Sequence, residues 1–435
     1  MQHTDGASGR ATVLGWALYD WANSAFTTTV MAGFFPLFFK QVWSSGTDPA
    51  VSTARLGMAN SVAGLLVALA APLLGAMADK GNARKRFLLG FAAVGIIMTA
   101  CLAHTPHGAW RAAAALYVAA SIGFAAANVM YDSLLPAVAR GRSQDVVSAL
   151  GYSLGYLGGG LLFAANVLMV RNPAMFGLPD MEAAVRVSFL LVAAWWAVFS
   201  LPLLLGVKEA RAASVSMPAM ARRGMHELAA TFRRVRRLRH IWLFLLAYWL
   251  YIDGVDTIVR MAVDYGISLG FDSNDLILAL LLTQFVGFPC ALAFGHLGRR
   301  IGTRRAIFLG LAVYLVVCGW GAAIRTETEF FILAGLIGVV QGGVQALSRS
   351  FYARLIPADR PAEFFGFYNM VGKFAAVIGP ALMGGVALAI RGAGFPSTTA
   401  SRASIASVAI LFVAGGALLT RVKEPGVPSA AGSAP

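Results

Sequence analysis

Apolar residues fill windows of about 20 positions along nearly the whole chain, and short polar segments separate these windows. An α-helix needs about 20 apolar residues to cross roughly 30 Å of hydrocarbon. Strands of a membrane barrel would instead alternate apolar and polar residues. The pattern therefore predicts an all-α membrane protein with 12 transmembrane helices, at residues 12–39, 56–78, 87–104, 110–135, 146–170, 185–206, 241–266, 275–297, 304–324, 329–355, 362–390 and 402–421.

Composition and charge agree with a membrane protein. Of the 435 residues, 58% are hydrophobic and 13% are charged, against roughly 25% charged in a soluble protein. The net charge of +15 follows from topology rather than from nucleic-acid binding, because one side of the predicted membrane carries about three times as many Lys and Arg residues as the other. This bias predicts a multi-pass protein of the inner or plasma membrane, with both termini cytoplasmic and anionic lipids at the cytoplasmic face.

The polar segments divide the chain into four parts. Residues 1–206 and 241–424 are each predicted to form a six-helix bundle. Residues 207–240 form the longest polar connection, a basic linker that includes a possible interfacial helix. The tail 425–435 is rich in Pro, Ser, Ala and Gly and is predicted to be disordered.

Two internal repeats support the division into halves. Residues 75–86 and 295–305 both place a glycine, a short polar turn and a basic cluster between two apolar spans, at a separation of 220 residues. Pro136 and Pro357 then follow the fourth span of each half, 221 residues apart. Parallel halves joined by a long loop are typical of transporters that bind their substrate between the halves.

These motifs resemble the major facilitator superfamily, and residues 75–86 resemble its signature loop between helices two and three. Residues 19–24, 345–350 and 364–373 look like the vacuole-effluxer branch of that superfamily, which is named for amino-acid effluxers. The resemblance implies the major facilitator fold, a central cavity lined by helices one, four, seven and ten, and a gating role for Asp79. Arg299 replaces this acid in the second copy of the loop.

Asp20 lies inside the first apolar window, where an ionised carboxylate costs about 3 to 10 kcal/mol. Asn23 lies one turn later on the same helix face, so both side chains are candidates for binding substrate or an ion. Two alternatives remain. Asp20 could instead be a snorkelling acid near the membrane surface, or it could serve in an inner gate or an ion relay.

Five further candidates for binding substrate or an ion lie in the second half. Asp253 and Asp256 are three residues apart and could share a proton site; the alternative is a structural pair with Arg260. Arg349 is the best candidate for gripping a carboxylate, and its alternative is a permanent ion pair with Asp20 or Asp132. The remaining two candidates are Asn369 and Lys373, and Lys373 could also act as a gate or snorkel.

The predicted gating residues are charged side chains at the inner ends of helices: Asp79, Lys80, Arg84, Asp132, Arg304 and Arg305. Asp132 is favoured for a gate salt bridge because it precedes Pro136 by four residues at the end of its span. The histidines are scattered and no nucleophile has a base partner, so the sequence predicts no enzyme, metal site or cofactor.

The resulting prediction is a secondary active transporter of a small polar solute that works by alternating access, with amino-acid efflux favoured by the resemblance. Energy is expected to come from a proton or sodium gradient or from the solute's own gradient, and the sequence does not choose among them. The alternative is a non-transporting membrane receptor or lipid-handling scaffold that kept the transporter fold.

Overall fold

The computed structural model describes residues 3–81, 83–207, 209, 233, 235–374 and 378–423, and its regular structure in these ranges is helical. The first half contains α1 (His3–Ala25), a π-helical run (Phe26–Phe34), α2 (Phe35–Phe38), a second π-helical run (Phe39–Trp43), α3 (Pro49–Gly81), α4 (Arg84–Leu102), α5 (Trp110–Val138), α6 (Gln144–Arg171), a 3-10 turn (Pro173–Phe176) and α7 (Met181–Gly206). The second half contains α8 (Arg239–Ser268), α9 (Ser273–Ile301), α10 (Thr303–Ala323), α11 (Glu327–Leu355), α12 (Pro361–Phe374), α13 (Ile378–Gly392), α14 (Ser397–Ser407) and α15 (Ala409–Thr420).

Eleven helical spans among the described residues are long and apolar enough to cross a membrane. The remaining predicted span, residues 12–39, lies on α1, α2 and the π-helical runs. Two features widen the helix there. The hydroxyls of Thr27 and Thr28 donate to the Ser24 carbonyl at 2.8 and 3.0 Å, which competes with the backbone ladder, and Pro36 has no N–H to donate.

The predicted boundaries are only partly covered. The first bundle ends with α7 at Gly206, where the sequence placed it. Of the predicted linker 207–240, residues 208, 210–232 and 234 lie outside the described residues, as does the tail 425–435. The predicted division into domains therefore stays a prediction.

Small residues bring helices of the two halves into backbone contact. A Cβ on Gly75 of α3 would lie 2.0 Å from the carbonyl oxygen of Ala362 in α12, and a Cβ on Gly366 would lie 2.6 Å from the carbonyl oxygen of Ala71. Only glycine allows so close an approach. The glycine shared by the signature loop thus packs α3 of the first half onto α12 of the second.

The charged side chains concentrate toward one end of the bundle. We call this the basic end; α3, α5, α9 and α11 finish there, and the basic clusters of residues 84–86 and 299–305 adjoin it. The other end is called the far end. Asp132 and Arg349 each lie about 9 Å along their helices from the basic end, at 1.5 Å per residue.

Candidate functional site

Arg349 of α11 lies buried at the interface between the halves, with its side chain 2% exposed. Nη1 donates to Asp132 at 3.1 Å and to Asp20 at 3.4 Å. Nε donates to the Ser148 hydroxyl and Nη2 to the Ser148 carbonyl, both at 2.9 Å, and Nη2 also approaches Asp20 at 3.5 Å. A guanidinium has five N–H groups, and these contacts occupy all of them.

Aromatic rings cover the remaining faces of the guanidinium. The Arg349 Cζ lies 4.4 Å from the ring centroid of Tyr152, 5.0 Å from that of Trp16 and 5.3 Å from that of Tyr131. The Tyr131 hydroxyl also donates to Asp20 at 2.8 Å. Cation–π contacts of this kind strengthen when water is excluded. In this conformation Arg349 therefore holds the halves together and has no N–H left for a solute.

Gly151 of α6 makes room for this arrangement, which we call the Arg349 cluster (Arg349, Asp20, Asp132, Ser148 and Tyr131). A Cβ on Gly151 would lie 2.6 Å from Asp20 Oδ2, 2.8 Å from the Tyr131 hydroxyl and 3.0 Å from Arg349 Nη2. Real Cβ atoms essentially never approach a neighbour below 3.0 Å. Any larger side chain at Gly151 must displace a member of the cluster.

The two predicted asparagines lie in different places. Asn369 of α12 donates to Asp132 Oδ2 at 3.1 Å and to the Phe365 carbonyl at 3.1 Å, so it joins the Arg349 cluster from the second half. Asn23 of α1 donates to Asn128 of α5 at 2.6 Å. Its side chain links two helices of the first half instead.

A second cross-half cluster centres on Asp145, which the sequence analysis missed. This buried carboxylate of α6 accepts hydrogen bonds from Thr303 at 2.8 Å, from Arg354 at 2.8 Å and from Ser350. The sequence contains only a weak signal for this cross-half role of Asp145, because an acid in the first turn of a helix is ordinarily explained by the helix dipole. Its three donors belong to segments that lie more than 150 residues away.

Asp79 provides a third contact between the halves. Its Oδ1 accepts from Arg84 Nε at 2.7 Å, and its Oδ2 accepts from the backbone N–H of Glu363 in the first turn of α12 at 2.8 Å. N–H groups in a first turn have no partner within their own helix. Glu209 accepts from the N–H groups of Arg84 and Lys85, both at 3.0 Å. The side chain of Lys80 lies outside the described residues.

Arg304 and Arg305 do not join these contacts. Arg304 Nη1 donates to the carbonyls of Val422 at 2.8 Å and Thr420 at 3.4 Å, where a cation suits the end of α15. Arg305 is exposed. The second copy of the loop differs from the first because Arg299 stands where Asp79 stands in the first copy, and Thr303 makes the cross-half bond instead.

The cross-half contacts made by the four carboxylates described above share one polarity. In each, the acceptor is a carboxylate of the first half, and the donor belongs to the second half. The acceptors are Asp20, Asp79, Asp132 and Asp145, and the donors are Thr303, Arg349, Ser350, Arg354, the N–H of Glu363, and Asn369.

The predicted pair of Asp253 and Asp256 is divided between two environments. Asp253 is buried and accepts from the N–H groups of Gly379 at 3.0 Å and Ile378 at 3.1 Å, at the start of α13, and from Thr257 at 3.3 Å. Its oxygens therefore cap α13. Asp256 is only partly buried, and its carboxylate lies in electrostatic range of Arg260 and Lys373. A shared proton site at this pair stays a prediction.

Known transporters share this fold. The structure superimposes on the proton:xylose symporter XylE of the major facilitator superfamily with a TM-score of 0.71 and 13% identity, over 96% of this chain and 95% of that one. The human organic anion transporter MFSD10 gives a TM-score of 0.68 with 17% identity, over 94% of this chain and 99% of that one. The fold predicted from the sequence is confirmed.

Sequence relatives narrow the family. The chain is 38% identical to YxiO of Bacillus subtilis, an uncharacterized MFS-type transporter, over 94% of both proteins. It is 26% identical to autophagy-related protein 22 of Pyricularia oryzae, over 77% of this chain and 61% of that protein. Residues 51–425 match the family described as vacuole effluxer Atg22 like. The chain therefore belongs to the Atg22-like vacuole effluxer family and is a transporter of the major facilitator type.

Proposed function

We propose that this protein is a secondary active transporter that moves a small polar solute by alternating access, and that amino-acid efflux is its activity. The observation that carries the proposal is the closure of the basic end by hydrogen bonds and ion pairs between the halves. Hydrogen bonds and ion pairs of this kind can be broken and remade, so they suit two halves that separate and close again.

The Arg349 cluster acts as the inner gate in this proposal. With Arg349, Asp20 and Asp132 in contact, the basic end is closed. Opening that end separates Arg349 on α11 from the two carboxylates on α1 and α5, and water must then replace their contacts. Asp145 and Asp79 supply two further contacts that the same opening would break.

Substrate contact falls to other residues. Arg349 was the best anion-binding candidate from the sequence, and in the closed basic end its N–H groups are occupied. Asp256 and Lys373 are partly exposed within their spans, which gives a solute access to them. The family, vacuole effluxer Atg22 like, supports efflux as the direction. The resemblance of residues 19–24, 345–350 and 364–373 to amino-acid effluxers makes an amino acid the first solute to test.

The setting of the protein completes the proposal. We place it in the inner or plasma membrane with the basic end and both termini in the cytoplasm, because positive residues concentrate at that end. Anionic lipids would contact the same end. A proton or sodium gradient would drive transport, because a secondary active transporter does not use ATP.

The test is uptake by purified protein in proteoliposomes, with the 20 common amino acids as probes, with and without a pH or sodium gradient. We expect movement of at least one amino acid. Arg349→Ala should lower the rate of that movement at least about 100-fold, which corresponds to about 2.8 kcal/mol because each 1.4 kcal/mol is a factor of ten. Arg304→Gln is the matched control, because that cation lies outside the cross-half contacts.

A receptor or lipid-handling scaffold would behave differently. If no amino acid moved under any gradient, and Arg349→Ala left the binding of lipids or partners unchanged, transport of amino acids would be rejected. The fold and the family would stand, because neither depends on the solute.

A further inference from the structure

Three charged side chains on α8 and α12 lie outside the gate and differ from Asp253, which is held by the start of α13. Asp256 and Arg260 are one turn apart on α8, and Lys373 lies in the last turn of α12. Asp256 and Lys373 are partly exposed and Arg260 is exposed. Within the part of the chain that the structure describes, none of the three has a hydrogen bond or an ion pair within 4.0 Å. We call these three residues the α8–α12 charge group.

Packing of α8 against α12 brings the three residues of the group near one another. Tyr248 and Tyr368 stack with their ring centroids 4.2 Å apart, and the position of a Cβ on Gly372 lies 3.8 Å from the Tyr248 hydroxyl. Further along α8, Asp253 accepts hydrogen bonds from the N–H groups of Ile378 and Gly379. Lys373 lies between these two points of contact, and it lies in electrostatic range of Asp256 and Arg260.

The charges of the group do not balance. Two cations and one carboxylate give a formal charge of +1. The neighbouring Asp253 does not cancel this charge, because its carboxylate is compensated by the N–H groups at the start of α13. The Arg349 cluster has the opposite imbalance, because Asp20 and Asp132 together face the single Arg349 and give −1. Uncompensated charge inside a membrane bundle costs several kcal/mol, so each site favours a mobile charge of the opposite sign.

Tyr152 of α6 lies between the two sites. Its ring covers the guanidinium of Arg349 at 4.4 Å, and its hydroxyl lies in electrostatic range of Asp20, Asp132 and Asp256. Asp256 lies roughly 25 Å along α8 from Arg239, at 1.5 Å per residue, and Arg260 about 6 Å farther toward the far end. A solute beside Tyr152 would therefore have the positive group on its far side and the negative cluster toward the basic end.

We propose that Arg260 and Lys373 form an anion subsite that holds the carboxylate of the transported solute, while Asp256 keeps the two cations apart and orients them. This inference rests on the proposed transport function and adds to it Arg260, the fixed orientation of the solute and the rejection of solutes that are only cationic. A carboxylate accepts from two donors at once, and the two cations, which lie in electrostatic range of each other, would supply these donors to a carboxylate bound between them. An amino group, if the solute has one, points toward Asp20.

The test uses matched probes that share one side chain and differ in which charged groups they carry. Proteoliposomes are loaded separately with phenylalanine, with 3-phenylpropanoate, which lacks the amino group, and with 2-phenylethylamine, which lacks the carboxylate. Alanine, propanoate and ethylamine form a second set. We expect the wild type to move the amino acid or the acid at least about tenfold faster than the amine of the same set, since tenfold corresponds to 1.4 kcal/mol.

Variants show which residues cause the preference for the acid over the amine. Arg260→Gln and Lys373→Gln should each reduce the ratio of acid to amine to under about threefold, the effect of losing one charge-assisted hydrogen bond in part-solvated surroundings. Arg391→Gln is the matched control, because it removes an exposed cation near the far end that is no part of the group. It should leave the ratio unchanged.

Failure of the subsite differs from failure of transport. If the wild type moves the amine as fast as the acid, or if both Gln variants keep the full ratio, the subsite is wrong and transport stands. If nothing moves, the proposed transport of these solutes fails, and a measurement of binding then tests the subsite. Then 3-phenylpropanoate at millimolar concentration should raise the unfolding temperature of wild type and Arg391→Gln by about 2 °C or more and leave that of the two Gln variants unchanged. No rise in the wild type overturns the subsite.

Discussion

The Arg349 cluster and the α8–α12 charge group contain the same kinds of side chain in opposite conditions. In the first, every N–H of the guanidinium has a partner, and aromatic rings exclude water. In the second, two cations and a carboxylate lie partly exposed without direct hydrogen bonds in the described chain. A satisfied buried charge holds two surfaces together, whereas an unsatisfied one is free to bind something else.

The largest expected effect separates the two regions most sharply. Arg349→Ala leaves Asp20 and Asp132 buried without their cation, and such uncompensated charge costs about 3 to 5 kcal/mol. The fraction of molecules whose basic end is closed should therefore fall. A cysteine introduced at Ser148 in the variant should react with a membrane-impermeant maleimide added to the basic side at least about tenfold faster than in an otherwise wild-type background. Equal rates would show that Arg349 does not close that end.

Gly151→Ala tests the steric part of the same cluster. The added Cβ would meet Asp20, Tyr131 and Arg349 at 2.6 to 3.0 Å, and relief of such overlap costs about 1 to 3 kcal/mol. Transport should fall about tenfold or more, with increased exposure of the basic end in the maleimide assay. Gly384→Ala is the control, because no atom lies within 4 Å of a Cβ there. A normal rate for Gly151→Ala would show that the cluster repacks without loss.

Asp145→Asn weakens a contact that lies beside the Arg349 cluster. Asparagine keeps the shape and can still accept from Thr303, but Arg354 loses its counter-charge, and a partly exposed ion pair contributes about 1 kcal/mol. We expect a two- to fivefold change in transport rate, smaller than for Arg349→Ala. Arg354→Gln should give a similar change, and the double variant should show less than the sum of the two effects, measured as a double-mutant cycle. Additive effects would mean that the two side chains act independently.

The smallest effect is expected at Arg304. Its guanidinium donates to the carbonyls of Val422 and Thr420, so Arg304→Gln should lower the unfolding temperature by a few degrees at most, corresponding to about 0.5 to 1 kcal/mol. The transport rate should stay within about twofold of wild type. A large loss of transport would restore Arg304 to the gating residues predicted from the sequence.

Fold and gate differ in how far the sequence predicted them. Spans, halves and the signature loop follow from hydropathy, from the basic clusters and from the repeats at 75–86 and 295–305. Asp132 lies near the end of its helix and forms an ion pair with Arg349, while its role in a gate stays a prediction. Asp145 was missed, because its three donors come from two distant helices, α10 and α11, and the local sequence contains no sign of them. Arg304 and Arg305 lie outside the cross-half contacts of the described residues, and their gating role stays a prediction.

The sequence by itself determined the membrane class, the helical fold and the two-half organisation, because hydrocarbon thickness and the need to satisfy backbone groups allow few other solutions. It also marked the costly charges, since each one within a span demands a partner. Only the tertiary structure decided which charge met which partner. That choice depends on helix packing at single glycines such as Gly75 and Gly151, where one methyl group would separate the surfaces. For the same reason only the structure showed that Arg349 pairs with both Asp20 and Asp132, which the sequence had left open as an alternative to binding a solute.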